Sequence, residues 1–432
     1  TQTNVTSNLS FTYSLSSGSF NSSDYTANLN VMIPAGSNSY TTTVNLTDDS
    51  NDDGDELAVI HFGTLPSGYN RLNDNIEIRV IDNDFTTLPW GTPLNPTYGN
   101  VQSTAPAGYY LSLEGKSGAA LKQAIQDIIA NPSVVHAQNY GDIEYILKES
   151  DQNPLNSNQV WLMYVEQGRS KYKFQTTSSN VGTWNREHIF PQSRGGYTDG
   201  TSSQADGINI WLPTSADDLQ AGHGDAHHIR AEDGPENTTR SNRDYGSDYN
   251  GPATSQGSWH GDVARALFYM AVRYNALSLV NGNPSDTPGN HIMGDLASLL
   301  AWNHSDPSDD FEMHRNNVIY TWQVNRNPFI DYPDLADYIW GIHAGEVWFA
   351  PLAVADNTQL QVGVWPNPAT SSINISGIQA EAVIDIYGVT GAKLYSGNIS
   401  GDTRIDLNLP AGIYMAKISS GGKSAVKKIV IK

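Results

Sequence analysis

Cysteine is absent from the 432 residues, which excludes disulfides, thiolate metal sites and a thiol nucleophile. Long apolar runs are also absent: none reaches the roughly 18 residues that a membrane-spanning helix needs. Basic residues are scarce, with 24 Lys and Arg against 45 Asp and Glu, a formal net charge of -21 and a pI near 4.7. So acidic a chain offers a polyanion no global attraction, and composition alone argues against a nucleic-acid partner. No charged-then-apolar leader follows Thr1, so the expectation is that any signal peptide has been removed or lies outside the sequence. What is present is ordinary. With 38% hydrophobic and 10% aromatic residues the chain can bury cores, and its length suggests two to four domains at about 150 residues each.

Charge divides the chain into three blocks. Residues 1–85 hold 11 acids and 2 bases, residues 86–357 hold 30 and 15, and residues 358–432 hold 4 and 7. In the first block apolar and polar residues alternate over 29–33, 41–46, 57–62 and 76–81, with Ser, Asn, Asp and Gly turns between them, so it reads as β. Its acids cluster at Asp48, Asp49, Asp52, Asp53, Asp55 and Glu56, and again at Asp82 and Asp84 around Asn83. Hard cations such as Ca²⁺ take six to eight oxygens, which such loops supply; a solvated acidic turn is the plainer alternative. With SDYT at 23–26, the block resembles a Calx-β domain without its first strand and that strand's acidic residue. The resemblance implies a β-sandwich with possible Ca²⁺ ligands at Asp24, Asp48, Asp52, Asp53, Asp55, Glu56, Asp82 and Asp84. Four prolines in 86–106 mark a linker.

The middle block turns helical. Apolar residues recur at helical spacing over 119–130 and 262–279, and Asp331-Tyr332-Pro333 starts a third helix. Its chemistry concentrates between 183 and 244. WNREHIFP at 184–191 is a short strand ended by proline, HGDAHHIR occupies 223–230, and NTTRSN at 237–242 fits the opening of a helix. A neutral His takes a proton from water near pH 7. A carboxylate with an amide oxygen suits Mg²⁺, and arginine forks match phosphate. Together these are the parts for metal-assisted phosphodiester hydrolysis. The His223/Asp225/His227/His228 cluster leaves a Zn²⁺ site open as a rival, although Gly222 and Gly224 disfavour a helix carrying His223 and His227 on one face.

These segments, with GDI at 141–143, GDVAR at 261–265 and NRNPFID at 325–331, resemble bacterial endonuclease I, a branch of the His-Me finger (ββα-metal) nucleases. The resemblance implies a mixed α+β domain over 107–342. It makes His188 the general base, Glu187 and Asn237 the ligands of one Mg²⁺, and 5′-phosphate and 3′-hydroxyl ends the products. Arg186, Arg230 and Arg240 are then candidates for phosphate contacts, with Asp225, His227, His228 and Asn242 in supporting positions. One difficulty is geometric: neighbours on a regular strand face opposite ways, so Glu187 and His188 share a site only if the strand ends, twists or bulges there.

Residues 343–357 read as a second linker. Beyond them, 358–432 alternate as short strands. VWPNPA at 364–369, DIYG at 385–388, LPAGIY at 409–414 and the closing KKIVIK resemble a type A sorting domain of the type IX secretion system, which implies a small Ig-like β-sandwich. The expectation is therefore a multidomain, secreted or cell-surface endonuclease of Bacteroidetes-type export. Its partners are DNA and possibly RNA as substrate and the secretion machinery. The alternatives are a Ca²⁺-dependent surface adhesion protein with an inactive or secondary nuclease core, and a phosphodiesterase for small substrates.

Overall fold

The computed structural model describes residues 1–15, 20–73, 76–198, 200–351, 362–378, 381–388, 391–420 and 423–432, and the chain divides into two units, Thr1–Phe349 and Ala350–Lys432. The first unit opens with strands β1 (Leu9–Ser14), β2 (Tyr25–Ala27), β3 (Asn30–Ile33), β4 (Val44–Leu46), β5 (Glu56–Phe62) and β6 (Ile76–Val80). They form a sheet of order β3-β1-β5-β6 and a separate β2-β4 pair. Alternation in LSFTYS buries Leu9 and Tyr13 against Val31, Ile33 and Ala58, so β1 is a strand that the pattern reading left unassigned.

The acidic residues in this part hold backbone. Asp82 Oδ2 accepts from the amides of Asp53 (3.1 Å) and Gly54 (2.8 Å), and Asp55 Oδ1 accepts from Asp82 N at 3.1 Å. Asp84 N donates to Asp82 Oδ1 at 2.8 Å, and Asp24 closes its own turn by accepting from Asn21 N and the Ser23 hydroxyl. Asp52 Oδ2 accepts from Thr86 N at 3.0 Å and from the Ser157 hydroxyl at 2.5 Å. Among the described residues no three acids or histidines close on a common centre. Of the acids expected to bind Ca²⁺, Asp24, Asp52, Asp55 and Asp82 therefore spend carboxylate oxygens on turn amides and hydroxyls, which gives the Ca²⁺ expectation for Asp24, Asp48, Asp52, Asp53, Asp55, Glu56, Asp82 and Asp84 no support.

Residues 86–106 form no helix or strand, yet they strap the following domain. Asp310 accepts from Asn100 Nδ2 (3.0 Å) and Val101 N (2.8 Å), and the Ser103 hydroxyl donates to Asp331 Oδ1 at 3.0 Å. Next come β7 (Lys116–Ser117), α1 (Gly118–Ile129), β8 (His136–Ala137), α2 (Ile143–Ser150), β9 (Gln159–Leu162), β10 (Gln167–Ser170), β11 (Trp184–His188), α3 (Gln192–Gly195), β12 (Leu212–Pro213), β13 (Ile229–Asp233) and α4 (Gly234–Arg240). After them follow α5 (His260–Arg273), β14 (Ser278–Leu279), β15 (Ile292–Met293), α6 (Leu296–Ser305), α7 (Asp310–Gln323), α8 (Pro328–Asp331), α9 (Leu335–Ile339) and β16 (Val347–Trp348).

A core of Ile143, Ile146, Leu147, Val160, Leu162, Trp184, Ile229 and Ile319 joins α2, β9, β11, β13 and α7. Each fully buried aliphatic side chain there contributes about 1.5–3 kcal/mol. Helix α5 ends at Arg273, short of the expected Leu279, because Tyr274 turns extended and its amide closes on Met270 O. Strand β16 lies in the stretch read as a linker but pairs with β7 and buries Trp348.

The second unit has β17 (Gly363–Trp365), β18 (Ser372–Ser376), β19 (Glu381–Gly388), β20 (Lys393–Ser400), β21 (Thr403–Asp406), β22 (Gly412–Ser420) and β23 (Lys423–Ile431). Sheets of order β17-β18-β21 and β20-β19-β22-β23 share one core that includes Ile373, Ile384, Ile386, Ala416, Ile418 and Ile429.

Candidate active site

Strands β11 and β13 pair antiparallel, with Glu187 opposite Arg230 and His188 opposite Ile229, and α4 follows at once. The helix starts there because the Asp233 side chain accepts from Glu236 N at 3.1 Å and Pro235 sits in the first turn. Asn237 therefore lies within α4, where the sequence pattern placed it at a helix opening. Two amide contacts fix its side chain. Nδ2 donates to Asn185 Oδ1 at 2.8 Å, and Asn185 Nδ2 donates in turn to Gln175 Oε1 at 2.8 Å. With its nitrogen committed, the Asn237 side chain keeps Oδ1 as the available oxygen. Asn185 and Glu187 are two apart on β11 and share a face, so Glu187 and Asn237 belong to one side of the sheet.

Glu187 is buried. Its Oε1 accepts from the Tyr164 hydroxyl at 2.8 Å and faces Arg240 at 3.3 Å. Burial pushes its carboxyl up to about 7, against the pull of Arg240 and Tyr164 toward the charged form. A carboxylate and an amide oxygen are the ligand types that hard divalent cations take, so Glu187 and Asn237 are the residues of this face that could hold one.

His188 has a different set of neighbours. Its ring stacks on Tyr140 at 5.2 Å, and the ring of His228 lies 5.3 Å away. Nε2 is 3.1 Å from the carbonyl of His223. A carbonyl only accepts, so Nε2 carries the proton and Nδ1 the lone pair. Burial, reinforced by the nearby His228, pushes the imidazole well below its usual range and keeps it neutral. Strand β11 ends at His188, and the side chains of Glu187 and His188 contact different residues, as alternation requires.

The arginines divide. Arg230 is buried between Asp151 (3.2 Å) and Asp262 (2.7 Å), so the expected phosphate contact is corrected to an internal ion pair: a phosphate would have to displace two carboxylates. Arg240 is likewise buried. It donates to the carbonyls of His188 (3.0 Å), Ile189 and Ser241 (3.2 Å) and so ties α4 to the end of β11. Arg186 stays partly exposed. One terminal nitrogen donates to Tyr140 O, and its guanidinium carbon lies 3.5 Å from the Tyr140 ring centre and 5.2 Å from that of Phe174.

The histidine cluster is hydrogen-bonded into the fold. His223 Nδ1 is engaged by Thr201 (3.0 Å), His227 Nε2 by Asn325 (3.2 Å) and His228 Nε2 by Gly222 O (2.8 Å). Asp225 accepts from Tyr269 (3.0 Å), Tyr274 (2.9 Å) and Gln323 (3.0 Å), which ties its loop to α5 and α7. Burial opposes its charge, yet His227 and Arg273 hold its carboxyl below the usual range. Among the described residues no three histidines or acids close on a common centre, which gives the zinc alternative no support. His223 and His228 touch the His188 ring; Asp225 and His227 brace the loop behind it. Asn242 offers its carbonyl to Arg194 at 2.8 Å, a structural tie.

Residues 117–258 and 248–334 match the family model described as Endonuclease I, and residues 363–432 match that of a secretion system C-terminal sorting domain. The chain is 39% identical over 274 residues to an extracellular ribonuclease of Bacillus amyloliquefaciens, covering 58% of this chain and 85% of that one. It is 38% identical over 252 residues to an extracellular ribonuclease of Bacillus subtilis, covering 54% and 78%.

Proposed function

This chain belongs to the endonuclease I family, and on that premise we propose that it is a secreted endonuclease that hydrolyses RNA and DNA with a histidine base and one Mg²⁺. That it is a phosphodiester hydrolase follows from the family, and secretion from the type IX sorting tail. The observation that carries the mechanism is the bond from His188 Nε2 to the His223 carbonyl (3.1 Å), which leaves Nδ1 of a neutral ring as the proton acceptor for water.

Glu187 Oε and Asn237 Oδ1 are the oxygens that would hold the divalent ion. When bound, such an ion neutralises charge on the phosphate and on the leaving 3′-oxygen. Arg186 offers its free guanidinium edge to a phosphate, steadied by two rings. Arg240 and Tyr164 keep Glu187 in place. The end of β11, where its two faces meet, is where the scissile phosphate sits, and in-line attack there yields 5′-phosphate and 3′-hydroxyl ends.

The test is cleavage of plasmid DNA and of structureless RNA with Mg²⁺, with EDTA, and by His188→Ala. Native protein should cut in Mg²⁺ and stop in EDTA, and the variant should lose about 10²–10⁴ in rate, the usual worth of a general base. Undiminished cutting by His188→Ala rejects the mechanism.

A further inference from the structure

The central block carries a net charge of -15, so whatever holds a polyanion there must be local. Seven of its fifteen bases are arginines buried in the fold. Four of the other eight, Arg169, Lys171, Lys173 and Arg186, lie between positions 167 and 186, a stretch of sequence without an acidic residue, although in space Asp52, Asp53 and Asp55 line the same cavity as Arg79, Lys171 and Tyr172. Arg169 is spent on Asp233 and Lys171 donates to Gln152 at 2.8 Å; Lys173 is exposed.

Rings interleave with these cations. Arg79, from the N-terminal strands, and Lys173 stand over Tyr172 at 5.1 and 5.2 Å. The next ring, Phe174, meets Arg186 at 5.2 Å; Arg186 covers Tyr140 at 3.5 Å; Tyr140 stacks on His188 at 5.2 Å. Tyr172, Phe174, Arg186 and Tyr140 are all partly exposed. The series also borders the metal side, because Gln175, one residue beyond Phe174, holds the Asn185 amide that orients Asn237.

We propose that this series is a track for single-stranded polynucleotide leading to the scissile phosphate, with unpaired bases against Tyr172 and Phe174 and phosphates against Arg79, Lys173 and Arg186. The proposal rests on the nuclease reading and names its substrate class. Ring faces serve bases that are not already paired and stacked in a duplex, and cations placed between rings repeat the phosphate-base alternation of a strand. RNA and DNA share this chemistry.

Fluorescence anisotropy with the full chain in EDTA reads binding without cleavage, using labelled oligo-U, oligo-dT and a hairpin duplex of equal nucleotide count. Tyr172→Ala should weaken binding of the single strands roughly tenfold and the hairpin much less, and Tyr172→Phe should restore it. Lys173→Gln should flatten the salt dependence of single-strand affinity by a slope of about 0.7. A loss confined to oligo-U assigns the track to RNA. An equal loss on the hairpin, no loss on either single strand, or a Phe variant as weak as Ala overturns the track. Tyr172-dependent binding of strands that the Mg²⁺-loaded protein never cuts would reject the nuclease reading and leave the track standing.

Discussion

At the residue scale, the side chains that orient the chemistry are as telling as those that perform it. Asn185 receives the Asn237 amide at 2.8 Å and passes its own to Gln175. Asn185→Ala frees Asn237 to rotate, so Mg²⁺ affinity read by calorimetry should fall about 10–100-fold, the usual cost of losing a ligand's support. Unchanged affinity would mean that Asn237 is held by something else or binds no metal. Arg230 makes the opposite point. Arg230→Ala removes one of two arginines from each of two buried carboxylates, Asp151 keeping Arg315 and Asp262 keeping Arg265, so denaturant melts should show a loss somewhat below the roughly 3–5 kcal/mol of a fully broken buried pair, with KM for nucleic acid unchanged in whatever fraction stays folded. The proposed trio of His188, Glu187 and Asn237 is one that the sequence offers, because an ordered motif surrounds each member. Tyr164 and Tyr140 are not: Tyr164 lies 23 residues before Glu187, and no local pattern shows that a tyrosine will fold back onto a carboxylate. Asn185 was within reach, since a polar residue two before Glu187 shares its face.

At the element scale, success followed amphipathicity. The striped α1 and the alternating strands β18, β19 and β22 are visible in the sequence within a residue or two, while β20 runs four residues beyond its clear alternation, to Ser400. Helices α6 and α7 carry weak stripes because their polar residues also face inward: Asp310, Glu312, Arg315 and Asn316 are all buried in α7. What marks α7 is its cap, Asp309, accepting from Glu312 N at 2.9 Å, a signal as local as any stripe. Such inward polarity makes the loop of 223–228 sensitive to acid. Burial pushes His227 and His228 down to about 4, while unfolded histidines take up protons from about pH 6.5. The unfolded chain therefore binds more protons across that interval, and the folded state loses stability as pH falls from about 6.5 toward 4. Each histidine contributes up to about 1.4 kcal/mol per pH unit. Urea melts at about pH 7 and pH 5 should differ accordingly, and His227→Gln should narrow the gap; equal stability at both values contradicts the assignment.

At the scale of the whole molecule, net charge misled and its placement informs. An acidic total argued against nucleic acid, but the total counts buried arginines and exposed carboxylates alike. Texture divides the chain into three blocks, whereas the structure divides into two units at Phe349–Ala350; what the connecting stretches do was not legible, because prolines and glycines signal irregular backbone and say nothing about what it touches. The strap of residues 86–106 carries a further consequence, one of time. Its bonds to Asp310 and Asp331 span sequence separations of 209 and 228 residues. The strap leaves the ribosome long before its acceptors exist, and contacts at such separation are slow to form. In pulse-labelled refolding, the Val101 amide should gain protection only after the α5 amides have done so, and that late closure sets when the newly made chain becomes safe from proteases.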